Sequence, residues 1–448
     1  MSSIKEFKEQ KPNRDYYAEL VSKLNEANQK LGAFSVINDS ISGGFPISVK
    51  DNICVKGVEA TASSRILKGY VPPFDATCIE RLKAKGMGFL GKTVMDEFGF
   101  GTFGLNCEAP AKNPFDPEYV AGGSSSGSAV ATSILSNHAS ISESTGGSIS
   151  TPASICGVVG FTPTYGAVSR YGLIDYANSL DKIGVMARSA SDIREVFDSM
   201  RGFDERDSTS SKQGITENRQ KRLIVVNQLL SGIDPAIKSS FQSLLGKLSG
   251  SGYTVDYVDL DFIKEAVQAY YIISMAEAST TLARYTGYKY GLQHGKFEEK
   301  YNQFFSEARE SFGLEAKRRV VLGTFIRGAN VRSRYYYKAL KIRRAIIDSM
   351  SRTMRDGMMI SPTLPIRTPK ARDAEKLDPV QVYAIDSLTI PPNLAGMPHI
   401  SFPYDYIDGM PVGAQLTTTH FNDYALISFV EEWEKGFSYK FKYNIGSL

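Results

Sequence analysis

Residues 122–154 read GGSSSGSAVATSILSNHASISESTGGSISTPAS, with 12 serines and 5 glycines but no lysine or arginine. A flexible Gly/Ser linker would be polar throughout. Here apolar residues interrupt the stretch at a spacing typical of a buried helix: Ala129, Val130, Ala131, Ile134, Leu135 and Ile141. We therefore expect residues 122–154 to be packed within a folded domain rather than to link two domains.

Glycines flank serines at both ends of the stretch, in GGSSSG and in TGGSIS. Glycine lets the backbone turn sharply and approach a ligand closely. Successive N–H groups in a turn such as residues 145–148 can form a concavity that binds an anion. The residues alone leave two interpretations open, a catalytic or anion-binding site and a packed glycine-rich turn.

A serine nucleophile in this stretch would need a base that takes its proton. The nearby histidine is His138, but a single histidine in a helix-like segment is more often a partly buried side chain. Lys50 in PISVKDN is the other candidate, because burial favours the neutral amine of a lysine. A lone strand lysine can equally lie at a sheet edge and point to water, so the residue pattern does not decide this point.

The composition of the chain narrows the class of protein. Its 448 residues carry a net charge of +4, which is too weak to indicate a surface for polyanions. The 4 cysteines include no CxxC pair and the 4 histidines are dispersed, so no metal site is predicted. The longest apolar runs are far shorter than the roughly 18 residues of a membrane span. The polar N-terminus predicts no signal peptide, and we expect a soluble intracellular protein.

The first half of the chain alternates helices and strands. Residues 14–32 predict an amphipathic helix that ends at Gly32, and residues 43–57 predict a strand that ends at a turn. In DATCIERLKAKGMGFLGKT, which predicts a helix and a strand, Asp75 is a candidate N-terminal cap.

The second half begins after a polar segment. Residues 204–221 are charged and poor in apolar residues, which favours a linker or surface loop. Residues 222–260 then predict a strand, a helix with Asp234 as cap and Pro235 at its first position, and a second strand. The whole pattern is typical of a mixed α/β protein.

The segments VKDN, GGSSSGSA and TGGSISTPASICGVVGFTPTYGAVSRYGL resemble the amidase signature family, whose pattern has GGSSGGS followed by a GSDTGGSIR-type segment. The resemblance implies a Ser–Ser–Lys triad with Ser148 as nucleophile, Ser124 as proton relay and Lys50 as base. It also implies a cis peptide bond between Gly123 and Ser124. The implied oxyanion hole is the turn formed by Thr145, Gly146, Gly147 and Ser148.

The resemblance covers nearly the whole chain and implies the amidase signature fold. This is an α/β fold with one large mixed β-sheet flanked on both faces by helices. The implied organisation is a single domain over residues 1–448. An N-terminal helical segment would occupy residues 1–35, a catalytic Ser/Gly-rich half residues 46–200, and residues 222–448 would complete the substrate pocket.

Within the family, stretches such as SLTIPPNLAGMPHISFP resemble the glutaminase (A) subunits of tRNA-dependent amidotransferases. This implies that the chain hydrolyses glutamine through an acyl-enzyme, and that a partner amidates Glu-tRNA(Gln), Asp-tRNA(Asn) or both with the ammonia. The implied partners are a B subunit and a small third subunit, C or an equivalent. The B subunit would be the main binding site for charged tRNA and would also bind ATP and magnesium. No cofactor, metal or membrane is implied for this chain. The implied compartment is the cytoplasm, with the mitochondrial matrix as the alternative.

A pocket selective for glutamine should offer one cation and one anion, because free glutamine is a zwitterion. By resemblance the cation is Arg319 in KRRVVLGTF, for the α-carboxylate, and the anion is Asp386 in YAIDSLTIPPNLAG, for the α-amine. The planar fork of an arginine can bind both carboxylate oxygens. Tyr270 in AYYIIS would line the same pocket, with the neighbouring Tyr271 as the alternative.

Four positions depart from the family pattern close to the implied nucleophile. Ser126 replaces a glycine, Glu143 a serine, Ser144 an aspartate and Ser150 an arginine. If the family's aspartate and arginine pair, losing both avoids a stranded charge that would cost about 3–5 kcal/mol. We expect the Ser144 and Ser150 hydroxyls to satisfy each other, and the altered surroundings to reduce activity.

Three other functions stay open at this point. One is a stand-alone amidase for another small amide, which would not need both Arg319 and Asp386. Another is a scaffold subunit with weakened catalysis, which the changes at Ser144 and Ser150 favour. The third is RNA binding through residues 332–344, RSRYYYKALKIRR, although a helix with a basic outer face and inward tyrosines fits this segment better.

Overall fold

The computed structural model describes residues 4–10, 12–293 and 300–436. The strands in these ranges are β1 (Phe34–Ile37), β2 (Phe45–Lys50), β3 (Met87–Thr93), β4 (Ala139–Ser144), β5 (Val159–Thr162), β6 (Lys182–Ala187), β7 (Arg222–Val226), β8 (Thr254–Val258), β9 (Met358–Pro362), β10 (His399–Ile407) and β11 (Met410–Thr417). They form one sheet in the order β1-β3-β2-β4-β6-β5-β10-β11-β9-β7-β8. The ranges given above therefore contain a single continuous sheet.

The helices in the same ranges are α1 (Ile4–Gln10), α2 (Arg14–Leu31), α3 (Thr77–Ala84), α4 (Ser126–Ile134), α5 (Ser150–Ile155), α6 (Ala190–Met200), α7 (Pro235–Gly250), α8 (Ala266–Thr281), α9 (Tyr301–Glu310), α10 (Leu314–Arg327), α11 (Tyr336–Thr353), α12 (Ala371–Ala374), α13 (Pro379–Ile385), α14 (Ile390–Leu394) and α15 (Asp423–Gly436). Every residue of β2, β4, β6, β9 and β11 is buried, which requires cover on both faces of the sheet. The predicted α/β fold with one mixed sheet is confirmed. No helix among the described residues is both long and apolar enough to cross a membrane.

The direction of two strand pairs decides where the site forms. β2 pairs in parallel with β3 and with β4, whereas β4 pairs antiparallel with β6. Carboxyl ends of parallel strands lie at the same edge of a sheet, so Lys50 at the end of β2 and Ser144 at the end of β4 lie close together. The Ser/Gly-rich stretch continues from this edge into α5.

Several sequence predictions of local structure are confirmed. α2 ends at Gly32, which adopts a left-handed conformation with φ +63°. Strand β7, helix α7 and strand β8 follow each other as predicted; Asp234 accepts from the Ala236 N–H, and Pro235 is the first helical residue. Residues 204–221 contain neither a helix nor a strand. Since β7 and β8 belong to the sheet that contains β2 and β4, this segment does not separate two sheets.

Two local predictions are wrong. Asp75 does not cap α3; its carboxylate accepts from the Lys56 N–H and from Lys83 instead, and the cap position is occupied by Ala76. The tyrosines of the basic strip at 332–344 do not all point inward, because Tyr335 and Tyr337 are exposed at the start of α11. Their rings lie beside arginine side chains that the strip itself supplies.

Candidate active site

Lys50 lies in the interior of the protein and not at a sheet edge. It is the last residue of β2, between β3 and β4, and its side chain is fully buried. Its Nζ lies 2.8 Å from Ser124 Oγ, 2.9 Å from the Glu143 carbonyl oxygen and 2.9 Å from Glu143 Oε2. The lysine that the sequence suggested as a base thus contacts the serine that the family pattern places beside it.

The two serines of the implied triad come from opposite ends of the Ser/Gly-rich stretch. The Gly123–Ser124 peptide bond is cis, as the resemblance predicted. The next residue, Ser125, donates its N–H to the Ser148 carbonyl oxygen at 3.3 Å, which joins the two ends of the stretch. Ser124 is fully buried, whereas Ser148 is 6% exposed and faces a cavity. Of the two serines, Ser148 is the one that a ligand in this cavity can reach.

The turn before Ser148 leaves backbone donors for a ligand. In the described part of the chain, the N–H groups of Gly146 and Gly147 donate to no other group, and both residues line the cavity. Side chains would not fit here: a Cβ on Gly146 would lie 2.5 Å from the Tyr270 ring, and one on Gly147 would lie 2.3 Å from Thr389 Oγ1. The arrangement suits an oxyanion hole, in which N–H groups stabilise a developing negative charge.

Thr145 turns its side chain away from this hole. Its Oγ1 lies 2.6 Å from Glu143 Oε1 and 2.8 Å from Asp181 Oδ1. Asp181 Oδ2 accepts the N–H groups of Tyr176 and Ala177. Burial, together with the nearby Glu143 carboxylate, raises the pKa of Asp181 well above its ordinary value. Two buried carboxyl groups therefore lie directly behind the lysine and the turn.

The cavity in front of Ser148 has a volume of about 340 Å³, within the size range of small-molecule sites. Residues of both halves of the chain line it. The first half supplies Gly123, the turn at residues 146–148 and Tyr176. The second half supplies residues of α8, α10 and α13, including Arg319 and Asp386 at the end of α13. The structure thus brings the predicted triad region and the predicted substrate residues to one cavity.

Arg319 is buried in this wall but is already partly engaged. Its Nε donates to Glu315 Oε1 at 2.9 Å, and one terminal nitrogen donates to the Tyr176 hydroxyl. The guanidinium also lies over four aromatic rings, those of Phe100, Tyr176, Tyr271 and Tyr383, at 4.8–5.7 Å from their centroids. Its second terminal nitrogen has no hydrogen-bond partner among the residues that the structure covers, so one edge of the cation can receive a ligand.

Asp386 is held by two hydroxyl groups. Its Oδ2 accepts from Tyr271 at 2.8 Å and from Thr102 at 3.0 Å. Burial raises the pKa of Asp386 to about 7, while these two hydrogen bonds act in the opposite direction. Both candidate tyrosines line the cavity, with different roles: Tyr271 binds Asp386, whereas Tyr270 packs against Gly146.

Sequence reasoning missed several residues of the cavity wall. Glu315 binds Arg319, and it also accepts from the Tyr383 hydroxyl and from Arg318, which itself lines the cavity. The four-residue spacing of Glu315 and Arg319 on one helix was a usable signal for their contact. Tyr383 begins the segment YAIDSLTIPPNLAG and Tyr176 lies in a loop, and no spacing in the sequence indicated that either tyrosine contacts Glu315 or Arg319.

The expected pairing of Ser144 with Ser150 is wrong. The Ser144 hydroxyl donates to Asn393 Oδ1 at 3.4 Å, while the buried Ser150 hydroxyl has no hydrogen-bond partner among the described residues. The reason is position, because Ser144 ends β4 and Asn393 of α14 lies against that end. The hydroxyl of Ser126, at the start of the buried helix α4, also has no partner in that part of the chain.

Similarity to known proteins identifies the family of this chain. The family model described as Amidase matches residues 22–427. The A subunit of the glutamyl-tRNA(Gln) amidotransferase of Sulfolobus acidocaldarius is 40% identical over 407 residues, which are 88% of this chain and 85% of that protein. The protein of the same name from Symbiobacterium thermophilum is 40% identical over 425 residues, 92% of this chain and 87% of that protein.

Solved structures give the same result. The crystal structure of the glutamyl-tRNA(Gln) amidotransferase A subunit from Thermotoga maritima has a TM-score of 0.82 and 31% identity, and the match covers 97% of this chain and 94% of that one. A 6-aminohexanoate cyclic dimer hydrolase at 21% identity, with a TM-score of 0.78, shares the fold. The family match over most of the chain and relatives at 40% identity place this chain in the amidase family.

Proposed function

We propose that this chain is the glutaminase subunit of a tRNA-dependent amidotransferase. Ser148 Oγ attacks the side-chain amide carbon of glutamine while its proton passes to Ser124. The proton of Ser124 passes to Lys50, and the N–H groups of Gly146 and Gly147 stabilise the oxyanion. The proton returns to the amide nitrogen, ammonia leaves, and water hydrolyses the glutamyl ester on Ser148.

The observation that carries this proposal is the combination of groups in one cavity. Ser148 shares it with a buried arginine that has a free edge, Arg319, and with the buried carboxyl group of Asp386. A zwitterionic amino acid needs both, whereas a simple amide needs neither. The relatives, which are named as A subunits of glutamyl-tRNA(Gln) amidotransferases, support the same substrate and complex.

The geometry suggests how the cavity would orient glutamine. The free terminal nitrogen of Arg319 would bind the α-carboxylate, with the guanidinium plane held by the surrounding rings and by Glu315. The Asp386 carboxylate, fixed by Tyr271 and Thr102, would bind the α-ammonium group. With both ends of the amino acid held, the side-chain amide would extend toward Ser148, which favours attack on that amide.

The same proposal includes the rest of the complex. The ammonia would pass to a B subunit that binds charged tRNA, ATP and magnesium, and a small third subunit would join the two. The product would be Gln-tRNA(Gln), Asn-tRNA(Asn) or both. The cytoplasm is the proposed compartment.

The test is glutamine-dependent ammonia release by the purified chain, alone and with its B and third subunits and mischarged tRNA. The Ser148→Ala variant should release none, and Ser243→Ala, which changes an exposed helix serine, should match the wild type. A wild-type complex that releases no ammonia from glutamine would contradict the proposal.

A further inference from the structure

Glu143 differs from the family serine at its position and is buried against the implied base. Its side chain is 1% exposed. Oε2 lies 2.9 Å from Lys50 Nζ and accepts from Asn52 Nδ2 at 3.2 Å, and the Glu143 carbonyl oxygen is also 2.9 Å from Lys50 Nζ. Two of the three hydrogen bonds of Lys50 Nζ given above are therefore made with this one residue.

The contacts of Lys50 fit both of its protonation states. An ammonium group has three N–H donors, and three oxygens surround Nζ: Ser124 Oγ and the two Glu143 oxygens. A neutral amine has two N–H donors, which the Glu143 oxygens can accept, and a lone pair that can receive the Ser124 proton. Glu143 thus orients the lone pair of Lys50 toward Ser124.

Hydrogen counting places one proton on the carboxyl pair of Glu143 and Asp181. The Thr145 hydroxyl has a single hydrogen but contacts both Glu143 Oε1 and Asp181 Oδ1, so one of the two carboxyl groups must donate to it. Glu143 Oε2 already receives donors from Lys50 and Asn52. Burial raises the pKa of Asp181, which favours a proton on Asp181 Oδ1, while Glu143 forms the ion pair with Lys50.

Few other charges face this pair within the described residues. Asp181 lies behind Thr145, and Asp96, in the loop after β3, interacts with Lys50. Burial raises the pKa of Asp96 to about 6. Replacing Glu143 therefore removes the carboxyl group in direct contact with Lys50 and leaves the carboxyl group of Asp96 in place.

We infer that Glu143 is a positioning residue for Lys50: its buried carboxylate and its carbonyl oxygen direct Lys50 Nζ toward Ser124. The inference rests on the proposed function. During attack the Ser124 proton moves to the Lys50 amine, and the resulting ammonium faces the Glu143 carboxylate. The same proton later leaves on ammonia. An adjacent anion favours an ammonium group over an amine, so we expect replacement of Glu143 to move the pH dependence of the reaction to lower pH.

The experiment is the pH dependence of kcat, at saturating L-glutamic acid γ-(p-nitroanilide), measured on the full chain with its partner subunits; kcat is used because protonation of Asp386 acts on KM. The ascending limb should have its midpoint about one to three pH units lower in Glu143→Gln and Glu143→Ser than in the wild type. Glu143→Asp, which keeps the charge, should stay near the wild-type midpoint. Glu434→Gln removes a carboxyl that binds the Ala190 N–H away from the site and serves as the matched control.

The outcomes separate this inference from the proposed function. If the wild type releases no ammonia from glutamine, or if Ser148→Ala retains release, the proposed function fails. If release depends on Ser148 but the Gln and Ser variants keep the wild-type midpoint, only the role of Glu143 fails. Thermal unfolding of each variant checks folding, and the Ser variant decides the question if the Gln variant does not fold.

Discussion

The two sides of the cavity are built in different ways. The catalytic side consists of Lys50, Ser124 and the turn at residues 145–148, which adjacent parallel strands and one short stretch hold at a sheet edge. The substrate side consists of Arg319, Asp386 and a set of tyrosines on helices far apart in the chain. The catalytic side is fixed largely by backbone and buried hydrogen bonds, whereas the substrate side is held by contacts between side chains.

This difference predicts different consequences of mutation. Changes on the catalytic side should stop the hydrolysis of every amide, because they remove the reacting groups or the groups that move the proton. Changes on the substrate side should weaken the preference for glutamine but leave slow hydrolysis of a simple amide. A catalytic-side variant that still hydrolyses a simple amide, or a substrate-side variant that loses all amide hydrolysis, would contradict this difference.

The largest effect is expected for Lys50→Met. Activity should fall by about 10²–10⁴-fold, because no other group contacts Ser124 as a base in the described part of the chain. The free energy of unfolding should also fall by about 3–5 kcal/mol, since Glu143 would stay buried without its cation. The double variant Lys50→Met, Glu143→Gln should recover much of the stability but none of the activity. Steady-state ammonia release and denaturant unfolding measure the two effects, and equal instability of both variants would contradict the ion pair.

An intermediate effect is expected on the substrate side. Arg319→Met and Asp386→Asn should each lower kcat/KM for glutamine by about 10–100-fold, which corresponds to about 1.5–3 kcal/mol for a charged hydrogen bond. Hydrolysis of propionamide, which has no α-carboxylate or α-amine, should change little. Arg344→Met is the matched control, because Arg344 is exposed on α11 and pairs with Asp348 away from the cavity. Equal losses for glutamine and propionamide would contradict a separate substrate side.

A smaller effect should follow from the protonation of Asp386. Its pKa of about 7 means that the carboxylate predominates above pH 7 and the neutral acid below it. Because only the carboxylate attracts the ammonium group, KM for glutamine should rise by up to about tenfold per pH unit below 7. Asp386→Asn should show a KM that no longer depends on pH in this range. A wild-type KM that is constant from pH 5 to 8 would contradict this assignment; these pH limits bracket the value of about 7.

The smallest effect is expected at the departures from the family pattern. Ser150→Ala should change stability by no more than about 1 kcal/mol and leave kcat unchanged, because the buried hydroxyl has no partner among the described residues. Ser144→Ala removes the contact with Asn393 and should cost slightly more. Melting temperatures of the two variants measure this difference. A large loss of activity in Ser150→Ala would show that this hydroxyl supports the site.

The sequence indicated the positions on the catalytic side in more detail than the contacts on the substrate side. Lys50, Ser124 and Ser148 lie in motifs with fixed spacing, and the order of short strands brings such motifs together in a predictable way. The contact of Tyr271 with Asp386, and that of Tyr176 with Arg319, depend instead on how segments far apart in the chain pack together. Pattern and periodicity do not encode that packing.

Within the catalytic side, one expectation drawn from the family pattern is wrong. Ser144 and Ser150 were expected to bind each other because their family counterparts are an acid and a base. The Ser144 hydroxyl instead contacts Asn393, and the Ser150 hydroxyl has no partner among the described residues. Glu143 was visible in the sequence as a departure, but its contact with Lys50 depends on the parallel pairing of β2 and β4.

The proposed role of Ser148 as nucleophile is tested most directly by identifying the residue that carries the acyl group. The complex would be mixed with glutamine, quenched in acid within the first turnover and digested, and the peptide containing Ser148 analysed by mass spectrometry. We expect a glutamyl ester on Ser148 that is absent from Ser148→Ala. An ester on another residue, or none while ammonia is being released, would contradict it.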